Sequence, residues 1–283
     1  MDPIATAITT STAAAVIVED DAAVVVAAGD IACEPGRPPS TGQCQQEATA
    51  KTVESLRPDA VLALGDLQYE RGEKANFEGS YAKSWGRFKR VTHPAPGNHE
   101  WSTPNLAGYR NYWPGKVDAA KRKTWYSFDL GDWHVVALDS NCRSVGGCES
   151  GSPQEQWLRA DLAAHRAKCT LAFWHHPRWS SGYHGSDRGY DAFWQALADA
   201  GADVVLGGHD HHYERFGADR GIRQFVVGTG GRSLYPTITV EARSEVRNST
   251  TFGVLALRLG KNAYSWRFVP SVGGFIDEGT ARC

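Results

Sequence analysis

The chain has 283 residues, with 30 lysines and arginines against 32 aspartates and glutamates, so its formal net charge is −2. This balance excludes the strongly basic surface by which proteins bind nucleic acid polymers or anionic membranes. With 41% hydrophobic and 22% charged residues, the composition is that of a globular protein and not of a disordered, collagen-like or coiled-coil chain. No apolar run approaches the roughly 20 residues that a bilayer crossing needs, so we expect no membrane partner.

The N-terminal residues differ in composition from the rest of the chain. Residues 1–20 are predicted to form a loosely attached arm, followed by a single domain over residues 21–283. The arm is rich in alanine and threonine but lacks the lysine or arginine that opens a secretory signal. We therefore expect that this chain carries no signal peptide.

Six short apolar runs follow along the chain, and a polar residue or a glycine comes soon after each of them. Runs that are apolar on both faces are typical of strands buried inside a sheet. The predicted strands are Ala23–Ala28, Ala60–Leu64, Trp133–Leu138, Thr170–Trp174, Asp203–Leu206 and Gln224–Val227.

Three segments between these runs predict helices. They extend from about Gln45 to Arg57, from a capping box at Ser152 onward, and from about Asp191 to Gly201. Alternating strands and helices predict an α/β fold, in which ligands bind where the carboxyl ends of the strands meet loops.

Two other segments predict β-hairpins. The residues on either side of Gly131-Asp132 form one, and Phe252–Leu259 with Ala263–Phe268 form the other. Hairpins place antiparallel strands beside parallel ones, so we expect mixed sheets.

The six cysteines are predicted to form disulfides, because two pairs enclose short loops. These pairs are Cys33–Cys44 and Cys142–Cys148, which leave Cys169–Cys283 as the third. Six cysteines allow 15 pairings, and a set of unrelated buried thiols is the alternative. Disulfides favour a secreted or periplasmic protein.

The polar residues that follow the predicted strands are all types that bind metals. They are Asp30, Asp66, Asn98, His99, His175, His209 and His211. Each one alone is typical of a turn, a helix cap or a solvated imidazole. Together they form a mixed set of carboxylate, amide and imidazole donors, which suits Fe, Mn, Zn or Co. Their joint occurrence predicts a metal site.

This ordered set resembles the metallophosphoesterase (calcineurin-like phosphoesterase) superfamily, and within it the purple acid phosphatases. Two segments decide the branch: Gly65-Asp66-Leu67-Gln68-Tyr69 and Gly208-His209-Asp210-His211-His212-Tyr213-Glu214-Arg215. The resemblance extends from about Val24 to the end of the chain. It implies a four-layer α-β-β-α sandwich, with two mixed sheets packed face to face and helices outside, and a metallophosphoesterase catalytic domain over residues 21–283.

Carried over position by position, the resemblance implies two metal ions bridged by Asp66. Asp30, Tyr69 and His211 would hold Fe(III), since a phenolate with carboxylate oxygens favours a trivalent ion. Asn98, His175 and His209 would hold Zn(II), Mn(II) or Fe(II). The sequence departs from the wider superfamily at Ala32, where a histidine ligand is usual. A Tyr69 that packs beside the site without binding metal is the alternative.

The resemblance also implies that Asn98, His99 and His184 bind the substrate and that the two histidines assist the leaving group. His99 could instead be an imidazole that only supports the ligands, and the glycine-flanked loop around His184 could equally leave it in solvent.

The implied activity is hydrolysis of phosphomonoesters by attack of a metal-bound hydroxide on a small-molecule phosphate ester. A phosphodiesterase for cyclic nucleotides or phospholipid head groups is the alternative on the same scaffold. A non-catalytic, metal-containing binding module is a more remote alternative, and the oligomeric state stays open.

Two further features allow more than one interpretation. Trp101, Tyr109, Tyr112 and Trp113 could line a pocket that stacks an aromatic leaving group, or they could be buried in a core. The glycine-rich Gly228-Thr229-Gly230-Gly231-Arg232 lacks the lysine of a P-loop, so it predicts a turn at a strand end near the site.

Overall fold

The computed structural model describes residues 21–116 and 123–283. The predicted N-terminal arm, residues 1–20, lies outside the described residues, so the division into an arm and one domain stays a prediction. Within the described ranges the longest helix has 12 residues, and no helix is long and apolar enough to cross a bilayer.

The strands and helices follow the alternating order that the sequence predicts. The strands are β1 (Ala23–Ala28), β2 (Ala60–Leu64), β3 (Thr92–Ala95), β4 (Tyr126–Leu130), β5 (Trp133–Ala137), β6 (Cys169–Phe173), β7 (Val204–Gly207), β8 (Tyr213–Phe216), β9 (Arg223–Val227), β10 (Ser244–Asn248), β11 (Phe252–Leu259), β12 (Ala263–Val272) and β13 (Glu278–Arg282). The α-helices are α1 (Gln46–Leu56), α2 (Lys74–Gly79), α3 (Asn98–Trp101), α4 (Ala107–Tyr112), α5 (Cys142–Val145), α6 (Pro153–Ala164) and α7 (Asp191–Asp199). Short 3₁₀ helices lie at Tyr81–Lys83, Trp85–Phe88, Pro104–Leu106 and Arg188–Tyr190.

The strands form two mixed sheets. The first sheet has the order β13-β12-β11-β1-β2-β3, and the second has the order β10-β8-β9-β7-β6-β5-β4. The sequence-adjacent strands β4 and β5 pair antiparallel, as do β11 and β12, which confirms both predicted hairpins. In contrast, β1, β2 and β3 are parallel, as are β5, β6, β7 and β9, so their carboxyl ends lie at one edge of each sheet.

Side chains on both faces of the central strands are buried, which explains their continuous apolar sequences. On β5, Val135 belongs to the core between the two sheets, whereas Val136 belongs to a second core beneath α6 and α7. Helix α1 packs on the first sheet through Ala50 and Val53. Helices therefore lie on the outer face of each sheet, and the fold is the expected sandwich of two mixed sheets between helices.

Local signals for the helices and the disulfides also agree with the structure. The Ser152 hydroxyl accepts a hydrogen bond from the Glu155 amide at the start of α6, whereas the Glu155 carboxylate accepts from the Gly151 amide, so one of the two bonds of the predicted capping box is formed. All three predicted disulfides are present, and Cys169–Cys283 joins β6 of the second sheet to the residue after β13 of the first. This last disulfide links the two sheets covalently.

Candidate metal centre

The predicted donors meet where strands from both sheets end. Asp30 follows β1, Asp66 follows β2 and Asn98 follows β3, while His175 and His209 follow β6 and β7. Backbone hydrogen bonds hold these loops together: the Asp30 amide donates to the Gly65 carbonyl at 3.0 Å, and the His209 amide donates to Asp30 Oδ2 at 2.9 Å. The carboxyl ends of parallel strands thus gather side chains that lie far apart in sequence.

Three of these donors have a backbone conformation that is unusual for residues other than glycine. The φ angles of Asp30, Asp66 and His209 are 60°, 48° and 68°, in the left-handed region. Such conformations persist where the surroundings impose them, and they cluster at functional sites. Gly97 completes the packing, because a Cβ at this position would lie 2.1 Å from Asp66 Oδ1.

The first group of donors surrounds the Tyr69 hydroxyl. This oxygen lies 2.8 Å from Asp30 Oδ1, 3.0 Å from Asp66 Oδ2 and 3.0 Å from His211 Nε2. Tyr69 is held there because its amide donates to the carbonyl of Ala32 at 2.9 Å. Ala32 thus positions the tyrosine through its backbone at the point where the wider superfamily has a histidine ligand.

The second group contains His175 and Asn98. His175 Nε2 lies 3.2 Å from Asn98 Oδ1 and 3.3 Å from Asp66 Oδ2. His175 Nδ1 lies 2.9 Å from the Leu64 carbonyl, which can only accept, so Nδ1 carries a proton and Nε2 faces the site. Burial opposes the charged ring, but the Asp66 carboxylate raises the pKa of His175 to about 10. Asp66 therefore touches both groups, as the predicted bridge would.

Two more imidazoles border the second group. The ring centre of His209 is 5.0 Å from that of His175, and burial together with the nearby His175 lowers the pKa of His209. Its ring is therefore neutral and has a free lone pair. His176, which strand alternation predicts to point away from the metals, has a ring nitrogen within 4.8 Å of nitrogens of His175 and His209, and its Nδ1 lies 2.8 Å from Ser140 Oγ.

The chemistry of the donor set fits two cations. Asp30 and Asp66 are 0% and 2% exposed, and buried carboxylates are costly unless cations compensate them. The Tyr69 phenol has a single proton for two neighbouring carboxylates, and burial with Asp30 and Asp66 raises its pKa well above the usual range. Carboxylates, a phenol, imidazoles and an amide oxygen around a shared Asp66 are the ligand types that a two-metal site uses.

The role of Glu100 was not predicted from the sequence. Its Oε1 accepts hydrogen bonds from the Leu67 and Gln68 amides at 2.9 and 3.1 Å, and its Oε2 accepts one from the Gly97 amide at 2.8 Å. The loops after β2 and β3 are thus fixed to each other. Burial and the charge of Asp66 raise the pKa of Glu100 to about 7.

Both predicted substrate-contacting histidines face one cavity of about 280 Å³ beside the donors. His99 Nδ1 donates to the Glu70 carbonyl, which leaves Nε2 on the side of Asp66, 3.7 Å from Oδ2. His184 is exposed, with its ring centre 4.1 Å from that of His209, and its amide donates to Asp210 Oδ1 at 2.9 Å. The loop therefore leaves His184 open to solvent and also places it at the cavity.

Sequence reasoning missed four residues that line this cavity: Glu70, Arg232, Ser233 and Tyr235. Arg232 lies in the predicted strand-end turn, so its proximity to the site agrees with that interpretation.

The aromatic cluster after Asn98 belongs to the core and not to the cavity. Tyr109, Tyr112 and Trp113 are buried in the hydrophobic core that also includes residues of the first sheet and α1, and Trp101 donates from its ring nitrogen to Asp139.

The family profile described as calcineurin-like phosphoesterase matches residues 19–213 of this chain. The chain belongs to the calcineurin-like phosphoesterase family. Membership implies a dinuclear metal centre, in agreement with the two donor groups that share Asp66.

Relatives place the chain near the purple acid phosphatases of this family. It is 31% identical to an uncharacterized protein of Mycobacterium tuberculosis, over 74% of this chain and 42% of that protein. It is 28% identical to purple acid phosphatase 15 of Arabidopsis thaliana, over 59% of this chain and 38% of that protein. The purple acid phosphatase PPD1 from yellow lupin (Lupinus luteus) seeds has the same fold, with a TM-score of 0.70 at 20% identity over 93% of this chain and 54% of that one. The chain thus spans about half or less of the length of these relatives.

Proposed function

We propose that this chain is a binuclear metal-dependent phosphatase that hydrolyses phosphomonoesters. One observation carries the proposal: the seven implied metal ligands lie in two groups that share Asp66. These ligands are Asp30, Asp66, Tyr69, Asn98, His175, His209 and His211. A binding module has no need of His99 and His184 at the same cavity, so their position supports an enzyme over a silent metal protein. The phosphatase names of the relatives support the same reaction class.

The proposed metals follow from the donors in each group. Asp30, Tyr69 and His211 would hold Fe(III), because a phenolate with carboxylate oxygen suits a hard trivalent ion. Asn98, His175 and His209 would hold Zn(II), Mn(II) or Fe(II), since amide and imidazole donors suit a divalent ion. When bound, two such cations supply Lewis acidity that neutralises phosphate oxygens and activates water.

The chain's own residues would orient the ester and handle the proton of the leaving group. Because His99 Nδ1 donates to the Glu70 carbonyl, a second proton on this ring resides on Nε2, which faces the cavity. In the proposed reaction His99 Nε2 gives this proton to the departing ester oxygen, with His184 at the same cavity and Asn98 contacting the phosphoryl group.

The charge of the donor set supports a monoester over a diester. Two divalent ions with a neutral Tyr69, or a trivalent and a divalent ion with a tyrosinate, both leave two positive charges beyond those that Asp30 and Asp66 compensate, and the charge of a hydroxide nucleophile is offset by that of protonated His99. A phosphomonoester dianion matches this excess, whereas a diester carries a single negative charge. The proposed partner is therefore a small-molecule phosphate ester, and no nucleic acid polymer or membrane is proposed.

The proposed location is outside the cytoplasm, either secreted or periplasmic. Three disulfides support this proposal, because structural disulfides persist in oxidising compartments.

Metal analysis with a visible spectrum of the purified chain tests the metal assignment. We expect two metal ions per chain, one of them iron, and a charge-transfer band that Tyr69→Phe abolishes. Tyr126→Phe is the matched control, since this tyrosine is half-buried on β4 and donates to the Pro94 carbonyl. A colourless protein with two zinc or manganese ions would overturn the ferric site while leaving the donor set intact.

A comparison of substrates tests the activity. We expect the metal-loaded chain to hydrolyse 4-nitrophenyl phosphate with a higher kcat/KM than bis(4-nitrophenyl) phosphate, and chelation to abolish both rates. His99→Gln should lower kcat by about 100-fold or more for an alkyl ester such as glycerol 3-phosphate, whose leaving oxygen needs the acid, and by much less for 4-nitrophenyl phosphate, whose phenolate departs unprotonated. His165→Gln is the control, since His165 lies before β6 at the other end of the strand from the site. Faster diester hydrolysis would establish the phosphodiesterase instead, and no turnover would point to a binding module.

A further inference from the structure

The wall of the cavity beside Tyr69 carries a cation that the proposed reaction does not use. The guanidinium carbon of Arg232 lies 5.2 Å from the ring centre of Tyr69, and its side chain is only 15% exposed. The backbone around it is fixed, because the Arg232 amide donates to the Asp30 carbonyl at 2.9 Å and the Cys44 amide donates to the Arg232 carbonyl at 3.1 Å. The arginine is thus held beside the site before any ligand binds.

On the guanidinium edge formed by Nε and Nη2, only one of the two nitrogens donates a hydrogen bond. Nη2 donates to Glu70 Oε1, whereas the buried Nε of the same edge has no hydrogen-bond partner among the described residues. The Nε and Nη2 edge of arginine matches the two oxygens of a carboxylate. A buried donor that lacks a partner is costly, so this edge favours a ligand that occupies both positions.

A second cation can compensate the negative charge of Glu70 if the Glu70 carboxylate leaves Arg232. Arg37 Nη1 lies 3.5 Å from Glu70 Oε1, and both side chains are about 40% exposed. Arg37 belongs to the loop that the Cys33–Cys44 disulfide closes, and this loop is the one bonded to Arg232 through Cys44. Glu70 can therefore pair with Arg37 while an incoming carboxylate takes its place on Arg232.

From this geometry we infer that Arg232 forms a carboxylate-binding subsite, and that the substrates are phosphate monoesters whose leaving group carries a carboxylate. The inference rests on the proposed phosphatase activity. In the reaction a P–O bond forms from water to phosphorus and the ester P–O bond breaks. The departing oxygen takes a proton, which gives orthophosphate and a hydroxy acid that remains paired with Arg232.

Two esters that differ only in the carboxylate test the subsite on the metal-loaded full chain. 3-Phosphoglycerate carries a carboxylate where glycerol 3-phosphate carries a hydroxymethyl group. We expect Arg232→Gln to lower kcat/KM for 3-phosphoglycerate by about tenfold or more and for glycerol 3-phosphate by less than about twofold. Arg232→Lys should restore part of the loss, because it keeps the charge but not the paired donors. Arg267→Gln, an exposed arginine on β12, is the control and should change neither rate.

Binding of unreactive ligands separates the subsite from the activity. Calorimetry should show phosphonoacetate binding about tenfold more tightly than methylphosphonate, and Arg232→Gln should remove this difference. Glu70→Gln should strengthen phosphonoacetate binding, because the competing carboxylate is gone. The inference is overturned if Arg232→Gln lowers the affinity for both ligands, or kcat/KM for both esters, by the same factor, because Arg232 would then be merely structural. It is also overturned if the wild-type chain binds phosphonoacetate and methylphosphonate with equal affinity. If neither ester is hydrolysed but phosphonoacetate is preferred through Arg232, the proposed activity fails and the subsite stands.

Discussion

At the residue scale, the candidate centre depends on buried groups that bind no substrate but hold the donors in place. Glu100 is the clearest case, because its carboxylate accepts three backbone hydrogen bonds from the loops that present Asp66 and Asn98. A carboxylate is needed there, since both oxygens accept and neither can be replaced by a donor.

Glu100→Gln should therefore disturb the centre although the change adds no bulk. The amide nitrogen would face a backbone N–H group, either that of Gly97 or those of Leu67 and Gln68, which leaves buried donors unpaired. We expect a loss of about 2–3 kcal/mol in the free energy of unfolding and a lower metal content. Urea unfolding and metal analysis measure both. Glu47→Gln is the control, an exposed carboxylate paired with Arg87, and an equal effect from both variants would contradict the role of Glu100.

At the element scale, the motif that contains His209 and His211 also positions the loop that carries His184. Asp210 accepts hydrogen bonds from the Ser180 hydroxyl and the His184 amide, and Glu214 accepts two from Ser181. Asp210, between the two proposed ligands, and Glu214, after them, thus hold the loop that carries His184.

Asp210→Ala should therefore act through His184. Both acceptor oxygens are removed, so the Ser180 hydroxyl and the His184 amide lose their partner and the loop loosens. We expect kcat on an aryl phosphate to fall by about as much as in His184→Gln, and the double variant to lose little more than either single one. Additive losses in this double-mutant cycle would show that the two residues act independently.

A second element-scale feature joins β4, β5 and α6. His134 is buried, and its two nitrogens lie 2.8 Å from the Asp129 and Asp161 carboxylates, with the ring of His165 stacked at 4.6 Å. Burial opposes the charged ring, but hydrogen bonds and charge from Asp161 and Asp129 raise the pKa of His134 above 6.5. Burial also opposes the charge on Asp161, yet His134 lowers the pKa of Asp161 below 3.8.

This cluster predicts a pH-dependent contribution to stability. The part due to His134 is fully present below pH 6.5 and is lost as the pH rises through its raised pKa, while the part due to Asp161 is present above pH 3.8 and is lost in stronger acid. His134→Gln should thus cost about 3 kcal/mol at pH 5.5 and less at pH 9. Urea unfolding of both proteins at the two pH values measures this, and a cost that is constant or larger at pH 9 would contradict the ion pairs.

At the scale of the whole molecule, the two sheets must stay in register because each provides part of the donor set. Asp30, Asp66 and Asn98 come from the first sheet, and His175 and His209 come from the second. The apolar core between the sheets and the Cys169–Cys283 disulfide both hold this arrangement.

Removal of this disulfide should destabilise the chain more than removal of a local one. Cys169 and Cys283 are 114 residues apart, against 6 for Cys142 and Cys148. On loop entropy, Cys169→Ala with Cys283→Ala should cost roughly 4–5 kcal/mol, and Cys142→Ala with Cys148→Ala roughly 2 kcal/mol. Thermal and urea unfolding rank the two variants, and an equal loss would show that the inter-sheet disulfide adds no more than the local one.

The sequence by itself determined the central strands, the capped helices, the hairpins and the order of the donor residues. These features are local: apolar runs, cap residues and turns depend on neighbours in the chain. It did not predict the edge strands β10 and β13, whose exposed and half-buried residues alternate without an apolar run, nor β8 within the histidine motif. Burial against one face or pairing with a neighbour decides such strands, and neither is visible in a local window.

Only the tertiary structure decided which partners the donors and the supporting residues have. Glu100 was visible in the sequence beside Asn98, but its three hydrogen bonds involve backbone groups up to 33 positions away. The unpaired Nε of Arg232 depends on the pairing of Nη2 with Glu70, 162 positions away, and on the burial of the arginine beside Tyr69. Hydrogen-bond satisfaction and burial are properties of the packed chain, so they appear only once both sheets are in place.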